Sequence, residues 1–166
     1  MGRIVSQNEL IHALDRKSRG SRRIVFTNGC FDLLHPGHIR SLEAARSAGD
    51  VLVVGINSDA SVRQVKGGSR PLVGAQERAE ILASLAAVDF VVIFEEATPR
   101  ELIARLLPDV LAKGADWGKN EVVGREEVEA AGGSVLSIAL QPGYSTTGLL
   151  ERIIASAPGS PGSTPH

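Results

Sequence analysis

The stretch "FTNGCFDLLHPGHIRSLEAA", residues 26–45, decides the fold of this chain. An apolar run ends at Gly29, a helical pattern follows, and His35 and His38 lie at the junction. The run, "RIVFTNG" at 23–29, is apolar enough to be a strand buried on both faces. The stretch therefore predicts a buried strand, a loop and a helix, with two imidazoles where the helix begins.

The rest of the chain repeats this alternation of apolar runs and helical patterns, which is typical of a parallel sheet with crossover helices. Strands are predicted at 23–29, 50–57 and 89–94, within 109–118, where the fourth strand runs into a loop, and at 134–140. Helices are predicted at 6–18, 37–49, 59–67, 75–88, 98–108, 124–133 and 145–157. Crossover connections between successive strands make these strands parallel. The predicted fold is α/β, a Rossmann-like doubly wound sheet of five parallel strands.

Length and composition limit the function further. The 166 residues suit a domain at 1–154 that begins with a helix, followed by a tail at 155–166 of disordered composition. A formal net charge of −1 predicts no general attraction to nucleic acid or to an anionic membrane. The single cysteine, Cys30, excludes an internal disulfide framework and fits a reducing cytoplasm. No stretch approaches the ~20 apolar residues of a membrane span, so we expect a cytoplasmic protein.

The position of the histidines indicates a ligand. In doubly wound sheets, ligands bind beyond the carboxyl ends of the strands, and the loop after the first strand is the usual place. A helix N-terminus there offers free N–H groups and a favourable dipole to an anion. Gly37 lets a phosphate approach the backbone, and His35 and His38 add N–H donors. This arrangement suggests a polyphosphate ligand.

Two simpler interpretations of the histidines compete with this one. The pair could bind a metal, but zinc-binding helices use a four-residue spacing with a third ligand, and no Cys or acidic cluster supplies one here. Pro36-Gly37 could also be an ordinary turn with polar neighbours. The second interpretation is weakened by the location of the pair at the ligand-binding edge that the fold predicts.

Three motifs resemble a known family. "TNGCFDLLHPGH" resembles the HxGH signature of the nucleotidyltransferase superfamily, which includes cytidylyltransferases, pantetheine-phosphate adenylyltransferase and class I aminoacyl-tRNA synthetases. "YSTTGLLERI" resembles its second signature, a Ser-Thr run that opens a late helix. With "LAKGADW" in register, residues 6 to about 154 are similar to the adenylyltransferases of ADP-heptose synthesis.

The resemblance implies transfer of AMP from ATP to a heptose 1-phosphate, by in-line attack on the α-phosphorus with release of pyrophosphate. It assigns catalysis to His35, His38 and Lys66, with Mg²⁺ bound through the triphosphate and no protein ligand certain. It also implies a homodimer and a separate heptose kinase acting upstream. The product would serve lipopolysaccharide or another surface glycan.

The resemblance also implies the binding residues. The nucleotide is assigned to Asn28, Gly29, Cys30, Phe31, Gly37, Lys113, Gly114, Asp116, Trp117, Ser145, Thr146 and Thr147. Secondary contacts to substrate phosphate are assigned to Asp32, Arg63 and Arg152.

Each assignment has a structural alternative. Asn28 and Asp32 are turn-forming types, and Lys66 could be a surface lysine. Trp117, to which the resemblance assigns stacking on the nucleotide, could instead pack a loop, and Ser145 could be an ordinary N-cap. Arg78 is a further charge near the phosphate face in some relatives, and a salt bridge with Glu77, Glu80 or a neighbour is the alternative for this residue.

Other functions remain open at this point. A glycerol-phosphate cytidylyltransferase shares both signatures, and base choice depends on a loop that a sequence does not position. A tRNA synthetase would need a long tRNA-binding extension. A non-enzymatic nucleotide sensor would be expected to lack one of the histidines or Lys66, and all three are present. Gly148 departs from the second signature, which usually has a larger polar residue there.

Overall fold

The computed structural model describes residues 1–115 and 122–158. Its strands are β1 (Arg3–Val5), β2 (Ile24–Gly29), β3 (Val51–Asn57), β4 (Phe90–Phe94), β5 (Val110–Gly114) and β6 (Ser134–Ile138). Its helices are α1 (Gln7–Leu14), α2 (Pro36–Arg46), α3 (Asp59–Lys66), α4 (Ala75–Ala83), α5 (Arg100–Leu106), α6 (Arg125–Ala130) and α7 (Thr146–Ser156). None of the helices in these two ranges is long and apolar enough to cross a membrane.

All the strands belong to one parallel sheet in the order β1-β4-β3-β2-β5-β6. From β2 the chain adds β3 and β4 on one side, and then crosses back to add β5 and β6 on the other. The order therefore reverses between β2 and β5, and the carboxyl ends of these two strands flank the crevice in which such folds bind ligands. The predicted Rossmann-like α/β class is confirmed.

The predicted count of five strands is wrong by one, because the sheet has a sixth strand at its edge. β1 pairs with β4, with Arg3 opposite Phe90 and Val5 opposite Val92. The sequence gives little sign of this strand, since it has three residues and only Val5 is buried. β1 is held in the sheet by its pairing with β4, and not by the burial of an apolar run.

Apolar residues cover both faces of the sheet, as a doubly wound fold requires. Ile24 and Phe26 of β2 point into a core formed with α1, α5 and α6, while Val25 between them points into a second core formed with α2 and α4. Neighbouring residues of one strand thus serve opposite cores. This is why the strand is apolar throughout instead of alternating.

Polar side chains hold together the edge of the sheet at which the strands begin. This edge is opposite the one that carries the histidines. The Asp109 carboxylate accepts hydrogen bonds from the backbone N–H of Ile24 at 2.8 Å and from Arg19 Nη2 at 2.9 Å. Arg19 is 5% exposed and also donates to the Leu107 carbonyl at 3.0 Å. The starts of β2 and β5 are therefore held together at the edge opposite the candidate site.

Candidate active site

The two histidines face each other at the start of α2. His35 is the N-cap of the helix and His38 lies in its first turn. Their rings are stacked with centroids 3.8 Å apart and planes 20° from parallel. The backbone N–H of His35 donates a long hydrogen bond of 3.4 Å to Nδ1 of His38. Since that Nδ1 accepts, Nε2 carries the proton of the neutral His38 ring and is free to donate to a ligand.

Burial keeps both imidazoles neutral at physiological pH. Burial, with a smaller contribution from the neighbouring His35, lowers the pKa of His38 to about 4. Burial also lowers the pKa of His35, although a backbone hydrogen bond opposes the change. Nδ1 of His35 is buried and has no hydrogen-bond partner among the described residues. The pair is thus a set of neutral ring N–H groups at a helix N-terminus rather than a pair of fixed cations.

Aromatic rings on either side hold the histidine pair. The Phe31 ring lies 5.3 Å from that of His38. Phe31 has a φ of 48°, a left-handed conformation that bulky residues rarely adopt, and this turns the chain out of β2 toward the helix. On the other side, the Tyr144 ring lies 6.1 Å from His35 and 19° from parallel to it.

Gly37 brings the two sequence signatures into contact. An added Cβ at Gly37 would lie 3.0 Å from Cβ of Tyr144 and 3.0 Å from Nδ1 of His35. Tyr144 immediately precedes Ser145, whose Oγ accepts the N–H of Gly148 at 2.9 Å as the N-cap of α7. The glycine therefore allows the Ser-Thr turn to pack directly against the histidine loop.

A lysine and an asparagine meet at the reversal of strand order. Lys113, next to last in β5, donates a hydrogen bond from Nζ to Oδ1 of Asn28 in β2. Burial lowers the pKa of Lys113 to about 8. Gly29 and Gly114, the last residues of β2 and β5, follow them. The structure thus places these four nucleotide candidates together at the ligand crevice.

Lys66 and Arg63 lie on α3, one strand further along the same edge. Lys66 is the last residue of the helix, and both side chains are exposed. Burial raises the pKa of the Cys30 thiol, and the positive charge of Lys66 opposes that rise. Arg70, four residues after Lys66, donates a hydrogen bond to Asp32 in the loop that follows β2, and this ties the chain beyond α3 to that loop. Cys30 itself is half-buried, with Sγ 3.8 Å from Oδ1 of Asn57.

Asp32 is engaged by protein groups. Its carboxylate accepts hydrogen bonds from Arg70 Nε at 2.5 Å and from the N–H groups of Leu72 and Val73 at 2.9 Å. Burial by itself would raise the pKa of Asp32, but these hydrogen bonds outweigh it and hold the pKa below its usual range. The side chain is 1% exposed and bound to these groups, so it anchors the segment before α4 to the histidine loop.

The remaining predicted residues are less central or lie outside the described ranges. Thr146 and Thr147 begin α7 beside Ser145, and Arg152 is exposed two turns further on. Asp116 and Trp117 fall outside the described residues.

Two residues were not among the candidates and stand close to the site. Tyr144 could have been noticed as an aromatic residue directly before the Ser-Thr run. Arg78 was considered as a charge near the phosphate face or as a salt-bridge partner of Glu77, Glu80 or a neighbour. The structure instead pairs it with Asp59 at 2.8 Å, nineteen residues away in the chain.

Comparison with known proteins agrees with this geometry. Residues 26–152 match the cytidylyltransferase-like family, and the chain belongs to it. The matched range runs from β2, before the histidine pair, to α7, after the Ser-Thr turn. The nucleotidyltransferase class predicted from the two signatures is therefore confirmed.

The curated relatives bear a more particular name. The chain is 60% identical over 138 residues to the bifunctional protein HldE of Pelobacter propionicus, covering 83% of this chain and 28% of that protein. It is 57% identical over 150 residues to the bifunctional protein HldE of Koribacter versatilis, covering 90% of this chain and 31% of that protein. The chain thus spans less than a third of the length of these relatives.

Solved structures share the fold at lower identity. A lipopolysaccharide core biosynthesis protein from Thermoplasma volcanium superposes with a TM-score of 0.60 at 24% identity, over 73% of this chain and 98% of that one. A pantoate-beta-alanine ligase from Francisella tularensis, complexed with beta-gamma ATP and beta-alanine, superposes with a TM-score of 0.60 at 17% identity, over 89% of this chain and 70% of that one. These similarities support the fold alone.

Proposed function

We propose that this domain transfers AMP from ATP to a heptose 1-phosphate, giving ADP-heptose and pyrophosphate. The observation that carries the proposal is the neutral His35–His38 pair at the N-terminus of α2, at the same edge of the sheet as the half-buried Lys113 at the reversal of strand order. Helix N–H groups, ring N–H donors and an ammonium converge on one edge of the sheet, as a triphosphate requires. The similarity to the HldE proteins supports the choice of substrate.

The reaction would be a direct in-line displacement. A phosphate oxygen of the sugar phosphate forms a bond to the α-phosphorus of ATP, while the bond from that phosphorus to the β-phosphate oxygen breaks and pyrophosphate leaves. Little covalent chemistry is left for the protein, so the rate enhancement comes from positioning and from stabilising charge. Donors that are already fixed in place act most strongly, because they need no reorganisation when charge develops.

The histidines, Lys66 and Lys113 have distinct proposed roles. The His38 Nε2–H and the His35 ring donate to the α-phosphate and to the leaving pyrophosphate. Lys66, exposed at the end of α3, reaches the phosphates from the neighbouring strand. Lys113 and Asn28, at the ends of β5 and β2, fix the nucleotide in the crevice.

Magnesium would be carried by the triphosphate. Within residues 1–115 and 122–158 no group of three His, Cys, Asp or Glu side chains is arranged to hold a metal ion. The buried carboxylate nearest the histidines in the chain, Asp32, already accepts hydrogen bonds from Arg70, Leu72 and Val73. Phosphate oxygens would therefore supply the ligands, and the ion would neutralise charge on the leaving group.

A glycerol-phosphate cytidylyltransferase is the second candidate, favoured by the match to the cytidylyltransferase-like family. Both candidates use the same triphosphate geometry and differ in the base and the acceptor. A binding module without catalysis is the remaining alternative. A homodimer, a cytoplasmic location and an upstream heptose kinase stay predictions; the kinase was expected to be a separate protein, while the curated relatives are bifunctional.

Pyrophosphate release separates these candidates. With Mg²⁺ present, ATP, CTP and GTP are each combined with heptose 1-phosphate and with glycerol 3-phosphate. Release with ATP and the heptose phosphate alone supports the proposal. Release with CTP and glycerol phosphate would identify the second candidate, the cytidylyltransferase, with the same mechanism. Release with no pair of substrates would contradict both enzymatic hypotheses.

A further inference from the structure

One buried arginine ties together the segments around the histidine loop. Arg78 is 1% exposed, and its Nε donates to the carbonyl of Val73 at 2.9 Å while Nη1 donates to the carbonyl of Cys30 at 2.6 Å. Nη2 donates to the carbonyl of Asn57 and to the carboxylate of Asp59, both at 2.8 Å. One guanidinium thus connects the loop after β2, the junction of β3 with α3, and the segment before α4.

The buried Asp32 carboxylate joins two of these segments, the loop after β2 and the segment before α4. It binds Arg70 and the N–H groups of Leu72 and Val73, and it lies three residues before His35. Val73 is therefore held twice, by its N–H on Asp32 and by its carbonyl on Arg78. The segment at 70–73 is fixed to the histidine loop by charge-assisted hydrogen bonds, which are stronger than neutral ones.

Lys66 lies between these anchors. Its helix, α3, begins at Asp59, which Arg78 holds, and ends at Lys66. The chain then passes through Gly67 and Gly68, where an added Cβ would meet no atom within 4 Å. The two glycines have no side chain to pack, so the place of Lys66 depends on α3, which is anchored at Asp59 and by the buried Val62, and on the anchored residues that follow the glycines.

We propose that Arg78 and Asp32 are positioning residues that hold Lys66 at the edge of the sheet where His35 and His38 lie. The inference rests on the proposed function, in which Lys66 reaches the phosphates. Both side chains are nearly fully buried and bound to protein groups, so they act through the backbone and not by touching substrate. A misplacement of about 1 Å can cost on the order of a hundredfold in rate.

A matched pair of variants tests the role in catalysis. Arg78→Lys keeps a positive charge but loses the planar fork that serves several acceptors. Arg19→Lys is the control, since Arg19 is also buried and paired with an aspartate, Asp109, at the opposite edge of the sheet. We expect Arg78→Lys to lower kcat for pyrophosphate release about tenfold or more, and Arg19→Lys to lower it less than about twofold, with similar losses of melting temperature. Equal losses of kcat would overturn the proposal.

A double-mutant cycle with Lys66 tests the route of the effect. If Arg78 acts through Lys66, then Arg78→Lys should change kcat less than about twofold in a Lys66→Ala background. Losses that multiply in full would show that Arg78 acts independently of Lys66, and would overturn the inference. Asp32→Asn loses the charge but keeps the size of the side chain, and it should likewise have little effect in the Lys66→Ala background. This variant replaces Arg78→Lys in the cycle if Arg78→Lys does not fold.

Hydrogen exchange separates this inference from the proposed function. In Arg78→Lys or Asp32→Asn, amides at 63–74 should exchange about tenfold faster or more, while amides of α1 should be unchanged. Unchanged exchange at 63–74 would overturn the anchoring even in an active enzyme. If the wild type releases no pyrophosphate, the proposed function fails, and the exchange result still decides whether Arg78 and Asp32 anchor the segment.

Discussion

The Nζ atom of Lys113 donates a hydrogen bond to Oδ1 of Asn28 and so joins the carboxyl ends of β5 and β2. These strands are neighbours, yet the two residues are 85 positions apart in the chain. The contact lies where the strand order reverses, which is where a doubly wound sheet binds its ligand. At that position the positively charged ammonium group of Lys113 is suited to bind a phosphate group of a ligand.

The lowered pKa of Lys113 predicts how ATP binding depends on pH. Because burial lowers the pKa to about 8, the free protein loses this positive charge above pH 8, and we expect KM for ATP to rise there. In Lys113→Met, KM should be higher at neutral pH and no longer change through that range. Lys17→Met, at an exposed lysine after α1, is the control, and an identical pH profile in Lys113→Met would contradict the prediction.

Lys113 should also affect the free energy of unfolding. The pKa of Lys113 in the folded state, about 8, lies below the ordinary value of 10.5, so between these values the unfolded chain holds more protons. Stability should therefore rise with pH over this window. Denaturant titrations across it should show this rise in the wild type and a flatter curve in Lys113→Met.

Loss of the first histidine should affect turnover far more than folding. His35→Ala removes a ring that faces the proposed phosphate site, and removal of one such donor typically costs about a hundredfold or more in kcat. The exposed His12, in the last turn of α1, provides the control His12→Ala. Steady-state kinetics and thermal melts measure both effects. If His35→Ala lowered turnover only in proportion to its loss of stability, His35 would have a structural role and not a catalytic one.

His38 should make the fold sensitive to acid. Its pKa in the folded protein is about 4 against an ordinary value of 6.5, so the unfolded chain binds a proton first as the pH falls. Stability contributed by the neutral ring is present above pH 6.5 and is lost as the pH falls toward 4. His38→Gln should remove this part of the acid sensitivity in urea titrations, and an unchanged pH dependence would contradict the lowered pKa.

Gly37→Ala should disturb the contact between the two signatures. The new methyl group would lie 3.0 Å from both the Tyr144 Cβ and the His35 Nδ1, so one of them must move. We expect a reduction of kcat/KM of about tenfold or more with a smaller change in melting temperature. Gly68→Ala, where an added Cβ meets no atom within 4 Å, is the control for stability.

The single tryptophan offers a direct report of binding. Trp117 follows β5 and was predicted to stack on the nucleotide, which would change its fluorescence when ATP is added. Trp117 is the only tryptophan in the sequence, so any tryptophan fluorescence comes from this residue. A binding isotherm by calorimetry without any change in fluorescence would contradict the stacking role.

Local patterns in the sequence determined the parallel sheet, the doubly wound class and the place of the histidines. Buried strands and helix starts leave signals within a few residues, such as the apolar run of β2 and the Ser6–Glu9 capping box of α1. The HxGH and Ser-Thr motifs are local in the same sense. For that reason they indicated the family before any contact was known.

Only the tertiary structure decided which polar groups face the ligand edge and which hold the protein together. Asp32 was a candidate for substrate phosphate, but the carboxylate accepts N–H groups from Leu72 and Val73, about forty residues away. The sequence left Arg78 between a charge at the phosphate face and a salt bridge to a neighbour, and the structure binds it to four separate acceptors. A buried polar group bonds to whichever segments the strand order brings beside it, and that order is a property of the whole chain.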